Sequence, residues 1–339
     1  MTQIHRVSVI AAMSNEADNV ETFVEDLAAQ DFQGDTEFVV ADGTSRDGSP
    51  ALLRRAAESA GLDLRILENP GRCVSPGLNA CIRAATGDLL VRMDCHSRYP
   101  PDYIRRCADA AEATGAWNVG GKVVPEGRTQ IERAVACAMD SPFGGIGWTR
   151  LSRSDRPVEV DTVTFGAFRP EAFERAGLFD EALVRDQDDE FNLRLRRAGG
   201  RIVMDPRITV RYRPRGSLPA LWTQYYEYGL WKTEVMRKHH RVVSVRSLAP
   251  LSLVGSLGVL GVASSASATA RALLGIELLA YAGGAVGFGI VGLRRRADPL
   301  SLLPVVIAAF PTIHLAYGMG MARGVLRRPA APRPATAPS

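Results

Sequence analysis

The sequence predicts an α/β domain built on a parallel sheet, followed by membrane helices. Three observations carry this. From residue 7 to residue 93, short apolar runs alternate with amphipathic stretches, the pattern of βαβ units. The apolar runs lead into polar residues, and ligands of such sheets bind at the carboxyl ends of the strands. Beyond residue 246 the composition turns to three long apolar segments. At 339 residues the chain is long enough for two units.

The elements follow in order. Val7–Met13 reads as a buried strand, and Asn15 is placed to cap a helix from about Ala17 to Gln30 with Val20, Phe23, Val24 and Leu27 on one face. Glu37–Ala41 is a second strand, ending at Asp42-Gly43-Thr44-Ser45, and a helix follows from Pro50 to Ala60. Leu62–Leu67 is a third strand, and Gly71–Ala85 is loop and then helix. Leu89–Met93 is a fourth, delivering Asp94 and, two residues on, His96. An acid at a strand tip is, by itself, as readily a turn or a helix cap. Asn15, Asp42, Arg72 and Asp94 reach the same edge from separate units, which favours a site. Trp117–Val124 and Val163–Arg169 are further strands, separated by a variable stretch to about Asp161. Arg185-Asp-Gln-Asp-Asp-Glu190 opens another helix. Acids suit the first turn of a helix, but four within residues 186–190 exceed what capping needs. Crowded like charges raise a pKa, which suits a general base.

The net charge of +4 is modest and unevenly spread. From Arg207 to Arg246 there are nine Lys or Arg against Glu227 and Glu234, a surface for phosphates or an anionic membrane. A nucleic-acid partner is not expected. Ser247–Ala270 and Pro299–Ala322 hold no Asp, Glu, Lys or Arg, and between Arg271 and Arg294 only Glu277 is charged. About 20 such residues span a bilayer as a helix. Trp222, Tyr225, Tyr226, Tyr228 and Trp231, mixed with basic residues just before these segments, read either as an interfacial anchor or as core. The domains expected are therefore 1–240, with an interfacial stretch at about 207–246, then a membrane region at 247–323 of two or three helices, and a disordered Pro/Ala-rich tail at 324–339. Met1–Arg6 followed by Val7–Met13 does not read as a secretory leader, so the first domain is expected in the cytosol and the chain in the plasma membrane as a multi-pass protein. Arg246 and Arg294–Arg296 favour the cytosolic side. Three full spans would then put the basic tail outside, against the charge rule, unless one segment is interfacial or re-entrant. The five cysteines form no CxxC pair and are expected to be reduced thiols.

These motifs together resemble the family 2 glycosyltransferases, which use nucleotide sugars. Val7-Ser8-Val9-Ile10 with Asn15-Glu16 is similar to the family's opening VSVIIPxYNE, and Val39 to Gly48 to its VVDDGSTDGT. Asp94-Cys95-His96 stands where the DxD motif would be, and Gln187 to Phe191 is similar to EDxEL. Gln224 to Lys232 resembles QxxRxGxWK. The likeness covers about residues 5–240, in the right order. Tyr99-Pro100-Pro101, the QDDEFN stretch and the apolar C-terminal segments add a likeness to membrane-associated transferases of the succinoglycan-biosynthesis ExoA type.

The resemblance implies a GT-A, Rossmann-like nucleotide-sugar-binding fold and a hexosyltransferase that inverts the anomeric centre. Asp188 takes the place of the general base, with Asp189 the fallback. Asn15, Glu16, Asp42, Arg72 and Asp94 are implied at the nucleotide sugar, which is expected to be a UDP-sugar. Asp94 and His96 are implied as ligands of Mn²⁺ or Mg²⁺. Gly166, Ala167, Phe168, Gln224, Trp231 and Lys232 are implied at the sugar and acceptor pocket; at 166–168 a plain strand-end turn is the competing reading. The acceptor implied is lipid-linked or a polysaccharide, in exopolysaccharide or cell-envelope glycan assembly.

The chain departs from the pattern at Ala41 for the first Asp of the pair, at His96 for the second Asp of DxD, at Gln187 for Glu and at Glu227 for Arg. An imidazole still binds Mn²⁺ and tilts preference away from Mg²⁺. With Glu227 in place of Arg, a pyrophosphate contact falls to Lys232 or a nearby Arg. A nucleotidyltransferase would need a Gly-rich basic loop after the first strand, and Ala11-Ala12-Met13-Ser14 is not one. A non-catalytic binding protein would not need the acid cluster at 186–190.

Overall fold

The computed structural model describes residues 3–145, 155–242 and 245–327. Internal contacts divide the chain into two units: Met1–Val124 with Leu151–Tyr212, and Pro125–Arg150 with Arg213–Ser339.

In the first unit, β1 (Arg6–Met13), α1 (Ala17–Ala28), β2 (Asp35–Asp42), α2 (Ser49–Ser59), β3 (Leu64–Glu68), α3 (Val74–Ala84) and β4 (Leu89–Arg92) alternate as the apolar runs predict. Next come β5 (Ser97–Arg98), α4 (Tyr103–Thr114) and β6 (Asn118–Pro125); α5 (Gln130–Asp140) belongs to the second unit. The first unit ends with β7 (Val158–Glu159), β8 (Ala167–Phe168), α6 (Pro170–Ala176), α7 (Gln187–Arg197) and β9 (Ile202–Tyr212).

The sheet runs β3-β2-β1-β4-β8-β6-β9-β5, with β7 paired on β9. β1 to β4 pair in parallel, each reached through a helix. β8 pairs antiparallel with β4 and β6, and β5 and β7 pair antiparallel with β9. The sheet is therefore mixed, parallel only in the half where strands and helices alternate. The strand expected at Val163–Arg169 shrinks to Ala167–Phe168, because Phe165 has φ +53° and turns the backbone out of the extended region.

Both faces of the sheet are covered. Val7, Val9, Ala11 and Met13 of β1 pack with Val20, Phe23, Val24 and Leu27 of α1 and with Tyr103, Ile104 and Cys107 of α4. The intervening Ile10 packs with Leu78 of α3 and Phe168, Phe173 and Phe191 on the other face. Strands buried on both sides read as continuous apolar runs, which is why they were legible. Phe23 and Val20, fully buried, are each worth about 1.5–3 kcal/mol in transfer. All five cysteines are free thiols.

The second unit packs α5 with α8 (Leu218–His239), α9 (Ala249–Ala263), α10 (Ala268–Arg295) and α11 (Leu303–Leu326). Its core joins Val135 and Cys137 of α5, Leu221 and Tyr225 of α8, and Phe310, Ile313 and Tyr317 of α11. α8 and α11 meet at glycines: a Cβ on Gly229 would lie 2.0 Å from the Tyr317 carbonyl oxygen, and one on Gly320 2.1 Å from that of Tyr226. Small residues at such positions let helix backbones approach closely. Of the two readings open for the α8 aromatics, packing describes Tyr225 and its partly buried neighbours Trp222, Tyr226 and Tyr228. Among the described residues three stretches are long and apolar enough to cross a membrane: Val245–Ala263, Ala268–Arg295 and Leu300–Leu326. Of the tail expected to be disordered at 324–339, the first three residues belong to α11, and from residue 328 it lies outside the described residues.

Candidate active site

The carboxyl ends of β1, β2 and β4 and the N-terminus of α7 build one polar site in the first unit. Its loops hold residues in the left-handed region, where side chains other than glycine are uncommon: Asn15 (φ 54°), Thr44 (59°), Arg72 (54°), Phe165 (53°) and Asp186 (59°). Such positions persist only where the surroundings over-determine them, and they cluster at functional sites.

The β1 and β2 ends are laced together. The Asp42 carboxylate accepts from the Ser45 hydroxyl at 2.6 Å and the Ser45 backbone N–H at 3.1 Å. The Asn15 N–H donates to Ser45 Oγ at 2.8 Å, and Asn15 Oδ1 accepts from the Arg46 N–H at 2.9 Å. Asn15 is thus not the cap of α1. The free N–H groups there go to the β2–α2 loop and the start of α2: Glu16 N–H to Ser49 Oγ at 2.8 Å and Ala17 N–H to Asp47 Oδ2 at 2.9 Å. The cap arrives from about 30 residues away, beyond the reach of local spacing rules. Arg72 is exposed on the loop after β3, tied by its N–H to the Asn69 carbonyl, while the Asn69 N–H bonds to the Asp42 carbonyl.

The centre of the site is Arg92, which in the sequence is one polar residue in an apolar strand. It is 5% exposed. Its Nε and Nη2 donate to the two oxygens of Asp94 at 2.9 and 2.8 Å, and its Nη1 donates to Asp188 Oδ1 at 2.7 Å. Its guanidinium stands 5.7 Å from the centre of the Phe165 ring. The Asp94 N–H donates to the Tyr99 hydroxyl at 2.6 Å. One guanidinium thus joins the strand tip to the acid cluster 94 residues further on.

The two carboxylates are pushed apart. Burial opposes the charge on both. At Asp94 the doubly bonded Arg92 outweighs burial and holds the pKa below the usual aspartate value. At Asp188 burial wins over Arg92, with Asp94 and Asp189 adding to it, and the pKa is raised. Paired acids with divergent pKa values mark divided roles, and a raised one suits a general base near neutral pH. The Asp188 side chain keeps 20% of its surface open.

Asp189 accepts from the Thr162 hydroxyl at 2.7 Å. Glu190, fully buried, holds Arg194, whose Nη2 also donates to the Leu178 carbonyl at 2.8 Å. Gly166 lies where a Cβ would come within 2.3 Å of Asn118 Oδ1, and its carbonyl accepts from the Arg92 N–H at 3.1 Å. Only glycine permits that approach. Ala167 is 1% exposed and paired with Val91 and Val119. Phe168, expected at the sugar and acceptor pocket, faces the core instead, within 5.2 to 6.1 Å of the Phe173, Phe191 and Phe179 ring centres. The two-residue period of a strand sends its ring away from the edge. Gln224, Trp231 and Lys232 stand on α8, in the second unit; Gln224 donates to the Tyr228 hydroxyl at 2.9 Å and Lys232 is 7% exposed.

His96 Nδ1 lies 3.4 Å from Glu16 Oε1, and its ring is half exposed. Among the described residues no group of three or more His, Cys, Asp or Glu is arranged to hold a metal by itself. Each Asp94 oxygen takes one hydrogen bond from Arg92 and keeps a second lone pair. Asp94, with that lone-pair capacity, and His96, with its half-exposed ring, are the residues available to hold a divalent cation whose remaining ligands come from phosphate and water, as those of Mg²⁺ usually do.

A mixed α/β sheet with its polar site at the parallel-strand ends is the architecture of GT-A glycosyltransferases, and the chain is a glycosyltransferase of that fold. Residues 8–176 match the family described as "Glycosyl transferase family 2", and this is the family to which the chain belongs. It is 29% identical over 326 residues to the succinoglycan biosynthesis protein ExoA of Rhizobium meliloti (strain 1021), covering 94% of each chain. It is 32% identical over 123 residues to an undecaprenyl-phosphate 4-deoxy-4-formamido-L-arabinose transferase of Enterobacter sp. (strain 638), covering 35% of this chain and 37% of that one. The mannosyltransferase PcManGT of Pyrobaculum calidifontis, solved with GDP-Man and Mn²⁺, shares the fold at 21% identity and a TM-score of 0.66, over 92% of this chain and 87% of that one.

Proposed function

We propose that the chain transfers a hexosyl group, with inversion, from a nucleoside diphosphate sugar to a lipid-linked or polysaccharide acceptor in exopolysaccharide or envelope-glycan assembly. The relatives named above support the setting: one serves succinoglycan biosynthesis and another carries the undecaprenyl-phosphate name. The donor proposed is a UDP-sugar, and GDP-mannose, the ligand of the Pyrobaculum enzyme, is the comparison donor. The apolar C-terminal helices hold the chain in the plasma membrane as a multi-pass protein with its catalytic domain cytoplasmic.

The observation that carries this reading is Asp188, partly buried, raised in pKa and fixed by Arg92 beside Asp94. In the reaction the acceptor oxygen bonds to the anomeric carbon as the bond to the diphosphate breaks, and the acceptor proton passes to Asp188. A single displacement of this kind inverts the centre. Asp94 and His96 would hold a divalent cation, Mn²⁺ or Mg²⁺, which when bound neutralises charge on the leaving diphosphate. Asn15, Glu16 and Asp42 line the edge for the nucleotide. Arg72, exposed beside them, supplies a cation to the phosphates. Gly166, whose carbonyl accepts from the Arg92 N–H and whose missing Cβ leaves room for Asn118, stands at the sugar and acceptor pocket.

The test is Asp188→Asn in detergent with Mn²⁺ and a panel of nucleotide sugars and lipid-linked acceptors. Transfer is lost while calorimetry still records nucleotide binding. Normal turnover in the variant would remove Asp188 from the mechanism, and no turnover by the parent on any pair would favour a binding protein.

A further inference from the structure

The apolar C-terminal helices differ in what covers them. In the two candidate spans that include α9 and α10, 11% of the apolar window is buried, against 44% in Leu300–Leu326. Val259, Val262, Leu273, Ile276 and Leu279 stand exposed on α9 and the first half of α10. Ser256 of α9 donates to Glu277, so the one acid between Arg271 and Arg294 is paired within the hairpin. Val245–Ala263, at about 1.5 Å per residue, is about 28 Å long, close to the roughly 30 Å of a bilayer's hydrocarbon.

α11 is covered by charged company. From Tyr317 onward it follows α8: Gly320 meets Tyr226 and Leu230, Gly324 meets Thr233, and Arg237 donates to the carbonyls of Gly324 and Arg327. Along this length α8 carries Glu227, Lys232, Glu234, Arg237 and Lys238, and α11 carries Arg323. A crossing by α11 would draw these charges into hydrocarbon, where each is strongly disfavoured. α11 meets α9 near the start of α9. Gly318 packs on Pro250 and Val254 of α9, whereas Gly255, Gly258 and Gly261 face open space. The basic residues agree: Arg246 precedes α9, Arg294–Arg296 end and follow α10, and Arg323 and Arg327 close α11. Two crossings place all three groups on one side, as the charge rule requires, and a third would not.

We propose that the chain crosses the bilayer twice, through α9 and α10. α11 stays packed on α8 on the side where α9 begins. The C-terminus and the catalytic domain then share the cytoplasmic side, the turn at Ser264–Ser267 lies on the other, and lipid covers the bare faces of the hairpin. This rests on the membrane reading above. The experiment uses the full chain in a bacterial inner membrane. Green fluorescent protein or alkaline phosphatase is fused at the C-terminus, and phosphatase is inserted at Ser265 in a separate variant. Fluorescence without phosphatase activity at the C-terminus, with activity at Ser265, is the expected pattern. Phosphatase activity at the C-terminus overturns the proposal in favour of three crossings, and an inactive Ser265 insertion overturns it in favour of a shallow hairpin. Release of the unfused chain by alkaline carbonate instead overturns the membrane reading itself.

Discussion

Arg92→Met removes the cation that joins the two halves of the site while keeping an unbranched side chain in the strand. The loss can be worked from the contacts. Asp188 gives up a charge-assisted hydrogen bond of 2.7 Å, a kind worth about 1.5–3 kcal/mol, or roughly 10- to 150-fold in turnover if that bond sets the base. Asp94 gives up two more, at 2.9 and 2.8 Å, and is left buried without its partner, with Asp188 partly buried beside it. Removing one member of a buried ion pair costs about 3–5 kcal/mol of stability, so a fall in Tm accompanies the loss of rate. The pH dependence separates the two effects. Asp188 already lies above the usual aspartate range, so the acid limb of kcat/KM lies there too, and without Arg92 opposing burial it moves to still higher pH. Arg92→Lys keeps a charge but cannot bond both acids with a planar fork, and falls between. The assay is transfer against pH on protein shown to be folded by thermal unfolding. A folded Arg92→Met enzyme with parental turnover and an unmoved acid limb would refute the role given to Arg92.

His96→Ala is expected to raise the Mn²⁺ concentration for half-maximal transfer at least roughly tenfold, and an unchanged metal titration would make His96 a bystander beside Glu16. Phe168→Ala, at the centre of the aromatic cluster, costs about 3–5 kcal/mol of stability and leaves the donor KM of the folded enzyme unchanged; a KM effect at unaltered Tm would return Phe168 to the pocket. Glu37 supplies a pH signature of the fold. Burial alone would raise its pKa, but hydrogen bonds from Ser8 and Thr86, with Arg65, lower it from 4.5 to about 2. Its contribution, about 3 kcal/mol, is present above pH 4.5 and is lost as pH falls towards 2. Glu37→Gln therefore lowers Tm at neutral pH and flattens the acid side of the stability curve, which thermal melts from pH 2 to 7 check.

The sequence alone determined the alternating half of the sheet, because β1, β2 and β4 are buried on both faces and must be continuously apolar. It also determined the strand-end residues Asn15, Asp42 and Asp94, the acid cluster that holds Asp188, and the three apolar stretches, since period, length and composition are local properties. Only the tertiary structure decided what those residues meet. Arg92 is invisible as a site residue until the fold brings α7 to β4 across 96 residues of chain. The caps of α1 come from Asp47 and from Ser49 at the start of α2, not from the adjacent Asn15. Phe168 turns inward because a strand alternates its faces. Hydropathy makes α9, α10 and α11 look alike, yet the last is the most covered and α8 packs along it. Burial and pairing depend on what packs against a side chain, and that is a property of the folded chain as a whole.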